Sequence, residues 1–189
     1  MDRAMLLNQF KNAFTASSPL YNANLSAKKG QPLFVKREMD CSTINSQGED
    51  ICIEAKISNS FIDANSGVIT ATFPIIHSTI QTRNNIIITA PCDRNGIITD
   101  GHIEVTGDLT GYSTLFSRFR NIIIIGDICA NGEILAPNGS ISINGNVSGN
   151  IKIEAANVSI HGNLGEGVKI KSKEAPKLRR KSFSVPFKI

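Results

Sequence analysis

The stretch "SISINGNVSGNIKIEAANVSIHGNLGEGVKI", residues 140–170, states one short phrase twice. An aliphatic pair spaced by two is followed by glycine, a small polar residue and another aliphatic. Ile141, Ile143, Gly145, Asn146 and Val147 return as Val158, Ile160, Gly162, Asn163 and Leu164. A period of 17 residues is too short for a helix pair with its turns and fits one coil of a β-solenoid. Aligning the small residue after each pair extends the series to Ala55, Thr72, Ala90, Gly107, Gly126, Gly145 and Gly162, at intervals of 17–19 residues. Most anchors follow alternating aliphatics, as in Ile51 and Ile53, Ile86 and Ile88, Ile103 and Val105, or Ile122 and Ile124. The pair Val68 and Thr70 before the second anchor is the weakest, and the repeat is clearest after residue 86.

A finer step divides each coil. Positions 103, 109 and 115, then 122, 128 and 134, then 141, 147 and 153, then 158, 164 and 170 are all aliphatic. Three steps of six per coil predict a triangular cross-section with one inward residue on each face. One such coil cannot bury its apolar side alone. Stacked coils form interior columns and satisfy one another's backbone groups at about 4.8 Å spacing. Composition agrees: 28 isoleucines against 10 leucines favour a pleated surface, and 18 asparagines with 15 glycines supply corners. "GD" at 107–108 and 126–127 and "GN" at 145–146 and 162–163 mark corners, where positive φ is cheap for these residues. The expected fold is therefore all-β, a single-stranded β-helix of 17–19-residue coils over residues 49–172.

The flanks read differently. Residues 1–48 are expected to be a helix and loop that cap the solenoid. Leu6, Leu7, Phe10, Ala13 and Phe14 share one helical face over 4–14, and Ser, Asn, Lys, Gly and Pro make 15–32 a loop. Residues 173–189 lose the period and form a basic tail with two prolines. Residues 169–189 hold eight Lys or Arg and one Glu, so the overall charge of +4 is a basic tail on a mildly acidic body. That division argues against nucleic acid as the main partner. No secretory leader pattern and no run of about 20 apolar residues appear, so a cytoplasmic protein, at most peripheral to the inner membrane, is expected. Cys41, Cys52, Cys92 and Cys129 form no CxxC and have no nearby His, which disfavours zinc and disulfides and suggests core filler.

Few residues suggest chemistry. His102 and His161 lie beside inward Ile103 and Ile160, so both point outward and do not converge. Asp93, Asp100, Glu104, Asp108 and Asp127 are spread over several coils; Asp108 and Asp127 fall at equivalent places and can stack, as exposed corners rather than a cation site. "GNLGEG" at 162–167 precedes no helix pattern, which removes the dinucleotide reading. No catalytic residue, metal ligand or cofactor is therefore assigned, and no small-molecule substrate is inferred. Two segments remain as contact candidates. "LFSRFRN", residues 115–121, offers Phe116, Arg118, Phe119 and Arg120 as a protruding loop, unless Leu115 and one Phe simply fill the third face. In the tail, Lys177, Arg179, Arg180 and Lys181 alternate with apolar Phe183 and Phe187, a pattern suited to an anionic membrane surface or a protein partner. The same tail can instead bind a nucleic acid, cover the last coil as an extra strand or stay disordered.

"ISINGNVSGNIKIEAANVSIHGNLGEGVKI" resembles the core of the bactofilins, bacterial cytoskeletal proteins, over about residues 86–170 and more loosely over 50–85. It is also similar to the β-helix of the flagellar-assembly-protein-A-like family. The first resemblance implies a right-handed triangular β-helix, end-to-end polymerisation without nucleotide, and membrane attachment through flanking segments. The expected function is thus a non-enzymatic scaffold that self-associates through its ends, with Val168 and Ile170 on the assembling rim. The alternative is a β-helical enzyme, secreted effector or adaptor with a site on a corner loop.

Overall fold

The computed structural model describes residues 14–179, and these form one β-solenoid of short parallel strands with no helix among them. Three faces stack turn upon turn. On the first face the backbone of Phe14 pairs with that of Leu33, and the interior column runs Leu33, Ile51, Ile69, Ile86, Ile103, Ile122, Ile141 and Val158. On the second it runs Leu20, Met39, Ile57, Ile75, Cys92, Leu109, Ile128 and Val147, closing on a single bridge to Leu164. On the third it runs Leu25, Ile44, Ile62, Ile80, Ile97, Leu115, Ile134, Ile153 and Ile170. Each face thus passes through nine turns. The aliphatic triplets at 103, 109 and 115 and in the two following turns are the three inward positions, and all nine side chains are buried. In the later turns the strands run on through corners, as in Ile128–Asn144 and Ile151–His161.

Both ends depart from expectation. The solenoid does not begin at residue 49: strands Phe14–Ala16, Leu20–Tyr21, Asn24–Ala27, Leu33–Val35, Met39–Asp40 and Thr43–Ser46 already form its first two turns. The expected loop at 15–32 is therefore coil, and Phe14 lies in a strand rather than a helix. The small and polar residues of 15–32 disguised it, because the first rung buries Ala16 in the column that later holds Ile53 and Ile88. The remainder of the expected helix, residues 4–13, lies outside the described residues. At the other end the period does not stop at 172: Lys177–Arg179 pairs with Ser159–His161 as a further rung of the first face.

The three corners use different devices. Between the first and second faces, Gly107, Gly126, Gly145 and Gly162 stack so closely that a Cβ on Gly145 would lie 2.0 Å from the Gly126 carbonyl oxygen. Positive φ is needed at Gly107 and Gly126 but is not recorded at Gly145 or Gly162, so in the last two close approach alone excludes a side chain. The polar partners stack beside them. Asp108 Oδ1 accepts from Asp127 N at 2.8 Å, Asp127 Oδ1 from Asn146 N at 2.7 Å, and Asn146 Oδ1 from Asn163 N at 3.0 Å.

Between the second and third faces, a left-handed residue recurs at Asn22, Cys41, Asn59, His77 and Arg94, then at Gly111. After it comes a buried polar side chain: Ser42, Ser60, Ser78 and Asn95, with Ser113 following in the longer corner beyond Gly111. Each one satisfies the backbone N–H of the residue below it in the stack. Ser42 N donates to Ser60 Oγ, Ser60 N to Ser78 Oγ, Ser78 N to Asn95 Oδ1 and Asn95 N to Ser113 Oγ. The strain of non-glycine residues in the left-handed region, on the order of 1 kcal/mol each, is offset by this ladder, because a buried N–H left unpaired costs more. No buried side-chain nitrogen or oxygen among the described residues lacks a partner.

Candidate functional site

The third corner, between the third and first faces, varies in length from turn to turn and carries the most distinctive surface. Three buried hydroxyls anchor it in successive turns. Thr82 Oγ1 donates to the Gly67 carbonyl at 2.6 Å, Thr99 Oγ1 to the Asn84 carbonyl, and Ser117 Oγ to the Gly101 carbonyl at 2.7 Å. The same oxygens accept from the loops that follow: Asn84 N, Gly101 N and Arg120 N. These bonds fix loops 83–85, 100–102 and 118–121 one above another. The step from Leu115 to Ile122 is one residue longer than that from Ile97 to Ile103, so the third loop projects.

The projection leaves a cleft of about 730 Å³ lined by Arg83, Asn84, Asn85, Asp100, Gly101, His102, Phe119 and Arg120. Arg118 Nη1 lies 3.4 Å from Asp100 Oδ1, and its guanidinium sits 5.8 Å from the centre of the Phe119 ring. The one carboxylate of the cleft is thereby compensated. Arg83 and Arg120 are exposed and make no ion pair or side-chain hydrogen bond with any described residue. His102 Nδ1 accepts from Asn121 N at 3.4 Å, which leaves Nε2 as the protonated ring nitrogen.

Of the four residues expected in a contact loop, three belong there. Phe116 does not: it lies in strand Leu109–Ser117, half-buried between Ile98 and Leu135 on the outer side of the third face. Leu115 fills the interior. The sequence reading missed Arg83, Asn84 and Asn85, whose signal was present: "TRNN" at 82–85 stands two turns below "SRFRN" at 117–121.

Elsewhere the side chains offer no assembled catalytic group. Ser159 Oγ and His161 Nε2 are 3.3 Å apart on an exposed strand, with no acidic residue hydrogen-bonded to the imidazole among the described residues. Burial pushes the Cys92 thiol up to about 12, and desolvation together with the Asp40 carboxylate raises that of Cys41, so neither is an activated nucleophile. Cys92 fills the core, Cys52 is buried outside it between Phe34 and Thr70, and Cys41 and Cys129 are exposed, so core filling describes one cysteine of the four. No group of three metal-ligating side chains occurs among the described residues, and no helix among them is long and apolar enough to cross a membrane.

The carboxy-terminal end is the second candidate. Leu164 and Ile170 top the second- and third-face columns, and Leu178 stands above Ile160 in the other inward column of the first face; Leu164 is 38% and Leu178 49% exposed, whereas the residues below are almost wholly buried. Val168 and Ile170, expected on this rim, are partly buried against the core. Around this apolar end stand Lys169, Lys171, Lys177 and Arg179, all exposed, with Lys171 Nζ 2.7 Å from Glu154 Oε1 on the turn below. Lys177 and Arg179 are thus held in a rung rather than loose in a tail, while Arg180, Lys181, Phe183 and Phe187 lie outside the described residues.

No protein-family model, no curated protein and no solved structure matches this chain.

Proposed function

We propose that the chain is a non-enzymatic scaffold that associates end to end through the carboxy-terminal face of its β-solenoid. The observation that carries this reading is the open end itself. Three interior columns finish on half-covered aliphatics, and no described residue pairs with the outer edge of the last rungs, an edge that a second chain can extend. Burying Leu164, Ile170 and Leu178 against a second copy removes apolar surface worth about 25 cal/mol per Å². The resemblance of residues 141–170 to the bactofilins points the same way.

The test is sedimentation velocity. Wild type is expected to associate with rising concentration, and Val168→Lys with Ile170→Lys to give a folded, smaller species. Two copies meeting by this end bring like charges together, so association should strengthen as salt screens Lys169, Lys177 and Arg179. Association that is unchanged in the double variant removes this end from the interface.

The ring of cations around an apolar tip favours one second reading, contact of the same end with an anionic lipid surface. In that case deletion of residues 174–189 abolishes pelleting with anionic vesicles, and salt weakens the binding. Salt therefore moves the two associations in opposite directions. Undiminished pelleting of the truncated chain excludes the lipid reading.

A further inference from the structure

We propose that the corner cleft over residues 83–85, 100–102 and 118–120 binds a nucleotide, its phosphates held between Arg83 and Arg120 and its flat ring against Phe119. This site is separate from the end face and independent of the scaffold reading.

The balance of donors and acceptors defines the ligand. Asp100 Oδ1 lies against Arg118, Asn84 Oδ1 accepts from Asn85 N, and Asn85 Oδ1 accepts from His102 N at 2.9 Å, so each acceptor side chain of the cleft already has one donor. What remains are donors: the guanidiniums of Arg83 and Arg120, Asn85 Nδ2 and His102 Nε2. A ligand that satisfies them is rich in acceptors and negatively charged, which favours a polyanion over a cation or a neutral sugar. Arginine forks match phosphate oxygens in pairs. Arg83 and Arg120 stand two turns apart, about 10 Å along the stack at the strand spacing, close enough for two extended side chains to meet on a diphosphate. Neither guanidinium has an acidic partner among the described residues, and a bound polyanion supplies one to both.

Two further observations select a ring-bearing phosphate over a bare one. The volume, about 730 Å³, lies in the range of small-molecule sites and far exceeds one phosphate group. Phe119, 55% exposed, is the aromatic residue of the cleft, and it already stacks with one planar cation, Arg118. A purine or pyrimidine uses the same ring, and base–aromatic stacking contributes about 1–3 kcal/mol per base.

Isothermal titration with ADP, pyrophosphate and adenosine tests the proposal on the full chain. ADP and pyrophosphate are expected to bind, more weakly as salt rises, and adenosine to give no measurable heat. Arg83→Gln and Arg120→Gln should each weaken ADP about tenfold or more without moving the melting temperature, since neither side chain has a partner to lose. Phe119→Ala should weaken ADP about fivefold or more and leave pyrophosphate unchanged. Lys177→Gln with Arg179→Gln, on the distant end, should change nothing. The proposal is overturned if ADP and pyrophosphate both fail to bind at millimolar concentration, if adenosine binds as well as ADP, or if the Arg83→Gln, Arg120→Gln double variant binds like wild type. An ADP advantage over pyrophosphate that survives Phe119→Ala overturns the role of the ring, and loss of binding in the Lys177, Arg179 variant moves the site to the end face.

Discussion

Ile143→Asp is expected to abolish the folded state, while Ser142→Asp, one residue away, leaves the melting temperature within a degree or two of wild type. Ile143 stands in an interior column between Ile124 and Ile160 and is wholly buried. The aspartate has no cation within the column and no backbone donor free to meet it, because every rung spends its N–H groups on its neighbour. A carboxylate buried without a partner costs about 4 kcal/mol or more, either as the charge itself or as the raised pKa that neutralises it. In a stack the damage spreads, since each turn relies on the turns on either side for its buried face. Ser142 points outward between Ile123 and Ser159 and is exposed, so the same charge there meets water. Circular dichroism melts of the two variants compare them directly. If they melt alike, the register of the first face is wrong.

Gly145→Ala should be nearly as damaging, for a different reason. Its new methyl would lie 2.0 Å from the Gly126 carbonyl oxygen and 2.5 Å from its carbon, so the two turns must separate locally. Neither atom belongs to a flexible side chain, and both are held by ladders on each side of the corner. A loss of about 3 kcal/mol is expected, the range of steric overpacking in a core that cannot relax. Gly96→Ala is the matched control. The nearest atom there is Thr79 Oγ1 at 3.6 Å, an ordinary contact, and φ is not in the left-handed region. That substitution should be neutral or stabilising by up to about 1 kcal/mol, because alanine has less unfolded-state freedom to lose. Chemical denaturation of the pair measures both. A Gly145→Ala protein as stable as Gly96→Ala would mean that the turns do not stack as closely at this corner as described.

The contrast between these sites explains what could be read from the sequence. Inward positions after residue 86 were legible because each must be a large aliphatic, and Ile103, Leu109 and Leu115 announce three faces by themselves. The first turns were not, because Ala16 satisfies with less volume the geometry that Ile53 and Ile88 meet later, and the corners beside it are filled by serine, asparagine and lysine. The step from second to third face is five residues while the corner is held by Asn59, His77 or Arg94, and six once glycine takes over at Gly111. A uniform step of six therefore fits the later turns and misaligns the earlier ones. The serine and asparagine ladder was invisible for a related reason: Ser60, Ser78 and Asn95 look like surface residues until their neighbours above and below are known. The cleft was half legible. Arg118, Phe119 and Arg120 stand out as a run, but Arg83 joins them only when two turns are superposed.

The central claim, that this rod joins through its carboxy-terminal end, is tested most directly by negative-stain electron microscopy of wild type beside Val168→Lys, Ile170→Lys at matched concentration. Nine turns at the strand spacing make a rod about 43 Å long. The account predicts wild-type particles at twice that length, more abundant at higher salt, and single rods for the variant with an unchanged circular dichroism spectrum. Single rods of wild type at every concentration and salt would contradict it.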